Sequence, residues 1–358
     1  MVPDAVNLAT VKRVLVIKLR HHGDVLLTSP VFSVLKARAP HAEIDALVYA
    51  DTREMLAGHP SIATVHGVDR AWKRQDLLTQ ARREGELLGR LRERRYQLLV
   101  HLTDHWRGAW LAQALRPRWS VAPMRPSRLW DWSFSHRFPL PRSTPRHTVE
   151  ANLDALRRVG IYPEEGEKGL VMVPGAEAEA RVDSLLAAAG LAPKGFLHFH
   201  PTSRWLFKAW TDAANAELLA SLARDGHRIV VTAAPDARER AILARILAQP
   251  IAGVHDLSGQ LTLREMAALS ARARLFVGVD SAPMHIAAAV GTPVVALFGP
   301  SDERVWGPWR VAHRVVASAY SCRPCNNDGC GGGKVSECLT QLPVERVRSA
   351  VNDLLAER

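Results

Sequence analysis

The sequence predicts an α/β protein of two doubly wound domains, each a parallel sheet with helices on both faces. Three observations lead there. Short apolar runs alternate with amphipathic segments of helical period over nearly the whole chain, the pattern of repeated β-α-β units. The alternation lapses over 116–146 and over the Gly, Pro and acid-rich 160–166, then starts afresh near residue 196. Finally, 358 residues that are 47% hydrophobic and 23% charged can bury two cores, which excludes a disordered or fibrous chain.

Taken in order, 14–17 (VLVI) is the first strand, followed by a polar turn and a helix through residue 35. Further strands fall at 44–49, 63–68 and 96–102, with helical segments between them. Seven arginines, many prolines and the rings of Trp119, Trp130, Trp132, Phe134 and Phe138 make 116–146 read as irregular surface structure. A helix over 149–159 leads to the domain edge, so the first domain spans 1–170. In the second, strands at 196–199, 227–232, 275–279 and 293–298 alternate with helices at 210–224, 236–247 and 262–272, and 344–355 reads as a last helix.

Lys and Arg number 47 against 36 Asp and Glu, a formal charge of +11. Residues 1–170 hold 27 of the basic and 18 of the acidic side chains, so +9 of the excess sits in the first domain. Such an imbalance points to an anionic partner: nucleic acid, a membrane leaflet or a phosphorylated substrate. No helix-turn-helix, finger or RNP signature is present, so a nucleic-acid-binding protein is the remote reading and no nucleic-acid partner is expected. The first residues offer a strand rather than the apolar core of a secretory signal, and the apolar region 275–298 is interrupted by Asp280, Pro283, His285 and Pro293. A cytoplasmic protein is expected.

In doubly wound sheets ligands bind beyond the carboxyl ends of the strands, so the polar residues just after each strand are the candidates. After the first strand come His21, His22, Gly23 and Asp24. Asp24 can serve as a general base or as the N-cap of the next helix, although Ser29 with Pro30 is an equally good helix start. The first strand of the second domain is followed by Thr202, Ser203 and Arg204, with Lys208 and Trp210 close behind. Hydroxyls and cations at a strand end make either a diphosphate cradle or a solvated loop, and neither a Walker loop nor G-x-G-x-x-G is present. The strand at 275–279 runs into Asp280, Ser281 and Ala282, where a carboxylate and free helix N–H groups meet; His285 lies one turn on, as a packed core residue or a site residue.

These segments together resemble the family 9 glycosyltransferases, the bacterial lipopolysaccharide heptosyltransferases. The resemblance rests on the Gly23-Asp24 turn, on Thr202-Ser203-Arg204 through Lys208-Ala-Trp210, and above all on Asp280-Ser-Ala-Pro-Met-His285 through Phe298-Gly-Pro300. The last segment and the cysteine-bearing 322–338 look most like the branch called heptosyltransferase III. The resemblance implies a GT-B fold: an acceptor-binding Rossmann-like domain (1–170) and a donor-binding one (171–340) facing a central cleft, with a C-terminal helix (341–358) packing back on the first. It implies inverting transfer of heptose from ADP-L-glycero-D-manno-heptose to a hydroxyl of the anionic inner core, with no required cofactor, at the cytoplasmic face of the inner membrane. A different core position or a protein acceptor is the alternative.

By the same resemblance Asp24 is the base on the acceptor hydroxyl and Lys208 offsets charge on the departing ADP. Thr202, Ser203 and Lys208 hold the diphosphate with Arg204 also on the donor side, Asp280 grips the heptose hydroxyls, and Ser281, Ala282 and His285 line that pocket. Glu239 corresponds to a ribose-binding acid, while His21, His22 and Gly23 form the acceptor side. Arg82, Arg83, Arg90, Arg92, Arg94 and Arg95, with 116–146, are candidates for holding the acceptor or the leaflet. Cys322, Cys325, Cys330 and Cys338 supply enough ligands for a structural tetrahedral metal, with reduced thiols as the other reading.

Overall fold

The computed structural model describes residues 4–140 and 144–357. The chain divides into two compact units, Met1–Met172 and Val173–Arg358. In the first, strands β1 (Arg13–Lys18), β2 (Glu43–Tyr49), β3 (Thr64–Val68), β4 (Leu98–His101), β5 (Trp119–Pro123) and β6 (His136–Phe138) form one parallel sheet in the order β3-β2-β1-β4-β5-β6. Helices α1 (His22–Leu26), α2 (Ser29–Arg38), α3 (Leu77–Glu93), α4 (Trp106–Leu115), α5 (Arg128–Ser133) and α6 (Thr148–Arg158) connect them.

The second unit repeats the plan. Strands β7 (Phe196–His200), β8 (Arg228–Val231), β9 (Val254–Asp256), β10 (Leu275–Val279), β11 (Val294–Phe298) and β12 (His313–Ala317) lie in the order β12-β11-β10-β7-β8-β9, again all parallel. Its helices are α7 (Ala176–Ala188), α8 (Asp212–Arg224), α9 (Ala237–Ile246), α10 (Leu263–Arg272), α11 (Ala282–Ala289), α12 (Glu303–Trp306), α13 (Glu337–Thr340) and α14 (Val344–Ala356). Strands buried on both faces are mostly apolar along their length, which is why β10 and β11 read LFVGV and VVALF. Gly278 belongs to the same logic: a Cβ there would lie 2.7 Å from the His200 carbonyl oxygen of the neighbouring strand.

Strand order reverses between β1 and β4 in the first sheet and between β7 and β10 in the second. Those two reversals open the crevices in which such sheets bind ligands. The residues after β1, β7 and β10 are the ones the sequence singled out.

One expectation is corrected. The stretch 116–146, of which 141–143 lie outside the described residues, holds β5, α5 and β6. Its surface arginines and prolines mask buried Trp130, Phe134 and Phe138, and the first two pack into the core of the first unit. Helix α14 lies in the second unit. Its apolar stripe, Val347, Val351, Leu354 and Leu355, enters the core of the second unit with Leu218, Leu219 and Leu222 of α8, and Arg348 pairs with Asp225 at 2.8 Å.

Candidate functional site

At the reversal in the first sheet, β1 ends on Lys18 and α1 begins four residues later. His21 is the N-cap residue and makes no side-chain cap, so Asp24 is a first-turn residue and not the cap. Carboxylates are favoured there by the exposed N–H groups of the helix end. Asp24, His21, His22 and Gly23 are all half-buried. The loop is anchored from the side: His22 Nε2 lies 2.8 Å from the Asp51 carbonyl oxygen, Arg70 donates to the Arg20 carbonyl oxygen at 3.1 Å, and Arg20 pairs with Asp104 at 3.1 Å.

Sequence reasoning missed Lys18. A lysine closing a strand reads as a solvent-facing end, yet this one is buried, donating to Asn152 Oδ1 at 3.0 Å and the Leu102 carbonyl oxygen at 3.3 Å. Burial pushes its pKa down to about 8, against the pull of the negative charges of Asp24 and Asp104. Asn152, from α6, ties the site together by also donating to the Leu27 carbonyl oxygen at 3.0 Å. Between the folded value and the ordinary 10.5 the unfolded chain binds the extra proton, so stability rises with pH over that window. Thermal unfolding from pH 8 to 10.5 is expected to show a gain of about 3 kcal/mol relative to Lys18→Met. Parallel curves for the two proteins would remove the buried charge from the account.

At the reversal in the second sheet, Lys208 Nζ and Asp280 Oδ2 form an ion pair at 2.5 Å across the crevice between β7 and β10. Asp280 is almost fully buried and Lys208 mostly so. An ammonium carries three donors, so this pair leaves two for an anion. Ser281 is the N-cap of α11, but its hydroxyl donates back to the Val279 carbonyl oxygen at 3.1 Å and Pro283 occupies the first turn. Ala282 starts the helix, His285 is buried within it, and Gly291, at a φ of 78°, ends it in the left-handed region where glycine is at ease.

Thr202 and Glu239 meet. Fully buried Thr202 donates its hydroxyl to Glu239 Oε2 at 2.7 Å, and the same oxygen accepts the Ala234 N–H at 3.1 Å. Behind them a line of buried polar side chains continues: His200 Nε2 lies 3.2 Å from Thr202 Oγ1, Thr232 Oγ1 lies 2.9 Å from His200 Nδ1 and 2.7 Å from His198 Nε2, and Ser270 Oγ lies 3.0 Å from His198 Nδ1. Burial drives both histidines down to about 3, so they are neutral at any ordinary pH. Ser203 Oγ accepts the Trp205 N–H at 3.2 Å, and the Arg204 guanidinium stands 5.6 Å over the Trp205 ring. Trp210 does not line the loop: it is core, with Nε1 donating to the Leu342 carbonyl oxygen at 3.1 Å.

Other expectations are narrowed. Arg82, Arg83 and Arg94 already hold Glu86, Asp45 and Glu43 in ion pairs, which diverts them from an incoming anion. The four cysteines line one cavity of about 130 Å³ with Pro300 and Tyr320, and burial pushes the Cys338 thiol up. Among the described residues, however, no three His, Cys, Asp or Glu side chains are placed to hold a metal ion. Closeness in sequence brings the thiols to one cavity without closing them to the tetrahedron that bonds of about 2.3 Å to zinc require.

Each sheet thus places its candidates at its own point of reversal: Asp24 with Lys18 in the first unit, Lys208 with Asp280 and Thr202 with Glu239 in the second. The profile of glycosyltransferase family 9 (heptosyltransferase) matches residues 85–335. Lipopolysaccharide heptosyltransferase 3 of Escherichia coli K12 is 33% identical over 349 residues, 95% of this chain and 97% of the relative. Among solved structures, the glycosyl transferase family 9 protein of Veillonella parvula superposes with a TM-score of 0.84 at 22% identity, covering 99% of this chain and 100% of that one. E. coli heptosyltransferase WaaC, solved with ADP, gives 0.73 at 20% identity, covering 96% and 99%.

Proposed function

The chain belongs to glycosyltransferase family 9, the heptosyltransferases, and from that premise we propose that it moves heptose from ADP-heptose to a hydroxyl of the lipopolysaccharide core, as a heptosyltransferase III. The observation that carries this is the Lys208–Asp280 pair at the reversal of the second sheet. A buried carboxylate can accept from sugar hydroxyls while the ammonium beside it meets a diphosphate, which is the recognition an ADP-sugar needs. Likeness to heptosyltransferase 3 over most of both chains supports the branch.

In the proposed reaction the acceptor hydroxyl oxygen attacks the anomeric carbon from the face opposite ADP, so the centre inverts. The bond from that carbon to the diphosphate oxygen breaks, the hydroxyl proton passes to Asp24, and the electron pair leaves on ADP. Lys208, Arg204 and the first-turn N–H groups of α11 stabilise the charge that develops there. These are protein groups, and no metal ion has a place in the scheme. The acceptor meets the enzyme at the cytoplasmic face of the inner membrane, where the positive charge of the first unit suits an anionic core.

Glu239, held by Thr202 and the Ala234 N–H, takes the ribose hydroxyls of ADP in this reading. Glu239→Gln is expected to weaken ADP binding by roughly 10- to 100-fold, the span of a hydrogen bond to a charged group, with kcat nearly unchanged. Calorimetric titration with ADP measures it, and wild-type affinity would release Glu239 from that role. The activity itself is tested by incubating the protein with ADP-heptose and defined truncated core acceptors, then determining product mass and linkage. Transfer to the core at another position, or only to protein, would overturn the assignment.

A further inference from the structure

We propose that the outer faces of α4 and α5 form a docking surface for an anionic lipid bilayer. The observation is a set of large apolar side chains, on and beside two helices in contact, that the fold leaves exposed. Trp132 is 74% exposed, Leu129 55% and Trp110 47%, with Trp106 and Met124 exposed as well. Trp106 and Trp110 are one turn apart on α4, and Leu129 and Trp132 are three residues apart on α5, so each pair shares a helix face. The two helices are joined where the patch needs it. Gln113, on the next turn after Trp110, donates from Nε2 to the Trp132 carbonyl oxygen at 3.3 Å, and Trp106 stands edge-on to buried Trp130 at 5.7 Å.

Charge identifies the occupant. Arg125 lies 4.6 Å over the Trp106 ring, Arg128 is exposed beside Leu129, and Arg116 and Arg118 are exposed where α4 runs out. None of these four forms an ion pair among the described residues. The one acid on α5, Asp131, is paired with Arg137 at 3.2 Å. A second protein would be met by a dry apolar centre, whereas tryptophans interleaved with unpaired arginines suit a boundary that is apolar below and phosphate-rich above. Among the described residues no helix is long and apolar enough to cross a membrane, so the contact is superficial. The inference rests on the proposed function only for the place of the acceptor; the binding itself needs no turnover.

The test is co-sedimentation of the full chain with vesicles of phosphatidylcholine alone or with about a quarter phosphatidylglycerol. The wild type is expected to bind the anionic vesicles, less at high salt, and to ignore neutral ones. W110S/L129S/W132S and R118E/R128E are each expected to bind roughly tenfold or more weakly. Unchanged ADP affinity and unfolding temperature show that the variants fold. Wild-type vesicle binding by both variants would overturn the proposal. So would self-association of the wild type that the triple variant abolishes while vesicle binding persists, which makes the patch a contact between copies. Retained vesicle binding with lost turnover on a short lipid-free acceptor would assign the patch to the acceptor instead. Absence of core transfer alongside normal vesicle binding would refute the proposed function and leave the surface standing.

Discussion

Asp24→Asn is expected to lower heptosyl transfer by roughly 10²- to 10⁴-fold, the contribution of a positioned general base, while ADP affinity stays at the wild-type level. The substitution keeps size and shape and removes only the ability to accept a proton. Its position explains the choice of residue. In the first turn of α1 a carboxylate is favoured by the N–H end of the helix, and the charge of buried Lys18 interacts with it. ADP binds at the second sheet in this reading, so its affinity reports on the other unit. Single-turnover rates with ADP-heptose, read beside ADP titrations, make the comparison, and near-normal turnover of the variant removes Asp24 from the mechanism.

Lys208→Ala is expected to cut turnover by about 10²- to 10³-fold, the cost of removing one electrostatic partner of a developing oxyanion, and also to weaken ADP binding. The geometry adds a complication. Asp280 is buried against the ammonium at 2.5 Å, so the single variant also strands a carboxylate without its counter-charge. Lys208→Ala combined with Asp280→Asn separates the two effects. The double variant is expected to regain unfolding stability lost by the single one, without regaining affinity for ADP. An ADP affinity unmoved by Lys208→Ala would end its phosphate role.

The strands were legible because burial on both faces leaves little choice of residue: 14–17, 44–49, 275–279 and 293–298 all appear within a residue or two of their observed bounds. The site followed from them, since polar residues directly after a strand at a sheet reversal have a crevice to face. What hid β5, α5 and β6 was composition, seven arginines around a few buried rings. Helix α7 was missed because AEAEARVDSLLAA opens without an apolar stripe. Lys18 was invisible for a different reason: its partner Asn152 is 134 residues away, and only the fold brings an amide to a buried ammonium. The two histidines of β7 did leave a trace, since alternation in FLHFH puts both on one face, but nothing in the sequence told what that face would meet.

That row of side chains from Ser270 to Glu239 has a fixed sense. Glu239 Oε2 already takes the Ala234 N–H, so it can only accept from Thr202, whose single hydrogen is thereby spent. His200 must then present its hydrogen from Nε2 and keep Nδ1 bare, which obliges Thr232 to point toward His200 and to receive from His198 Nε2. His198 Nδ1 is bare in turn and takes the hydrogen of Ser270. One carboxylate therefore settles both imidazole tautomers and the rotor of every hydroxyl behind it, and all five links run one way. No member can turn round alone, so the row behaves as a single rigid strut from α10 to α9.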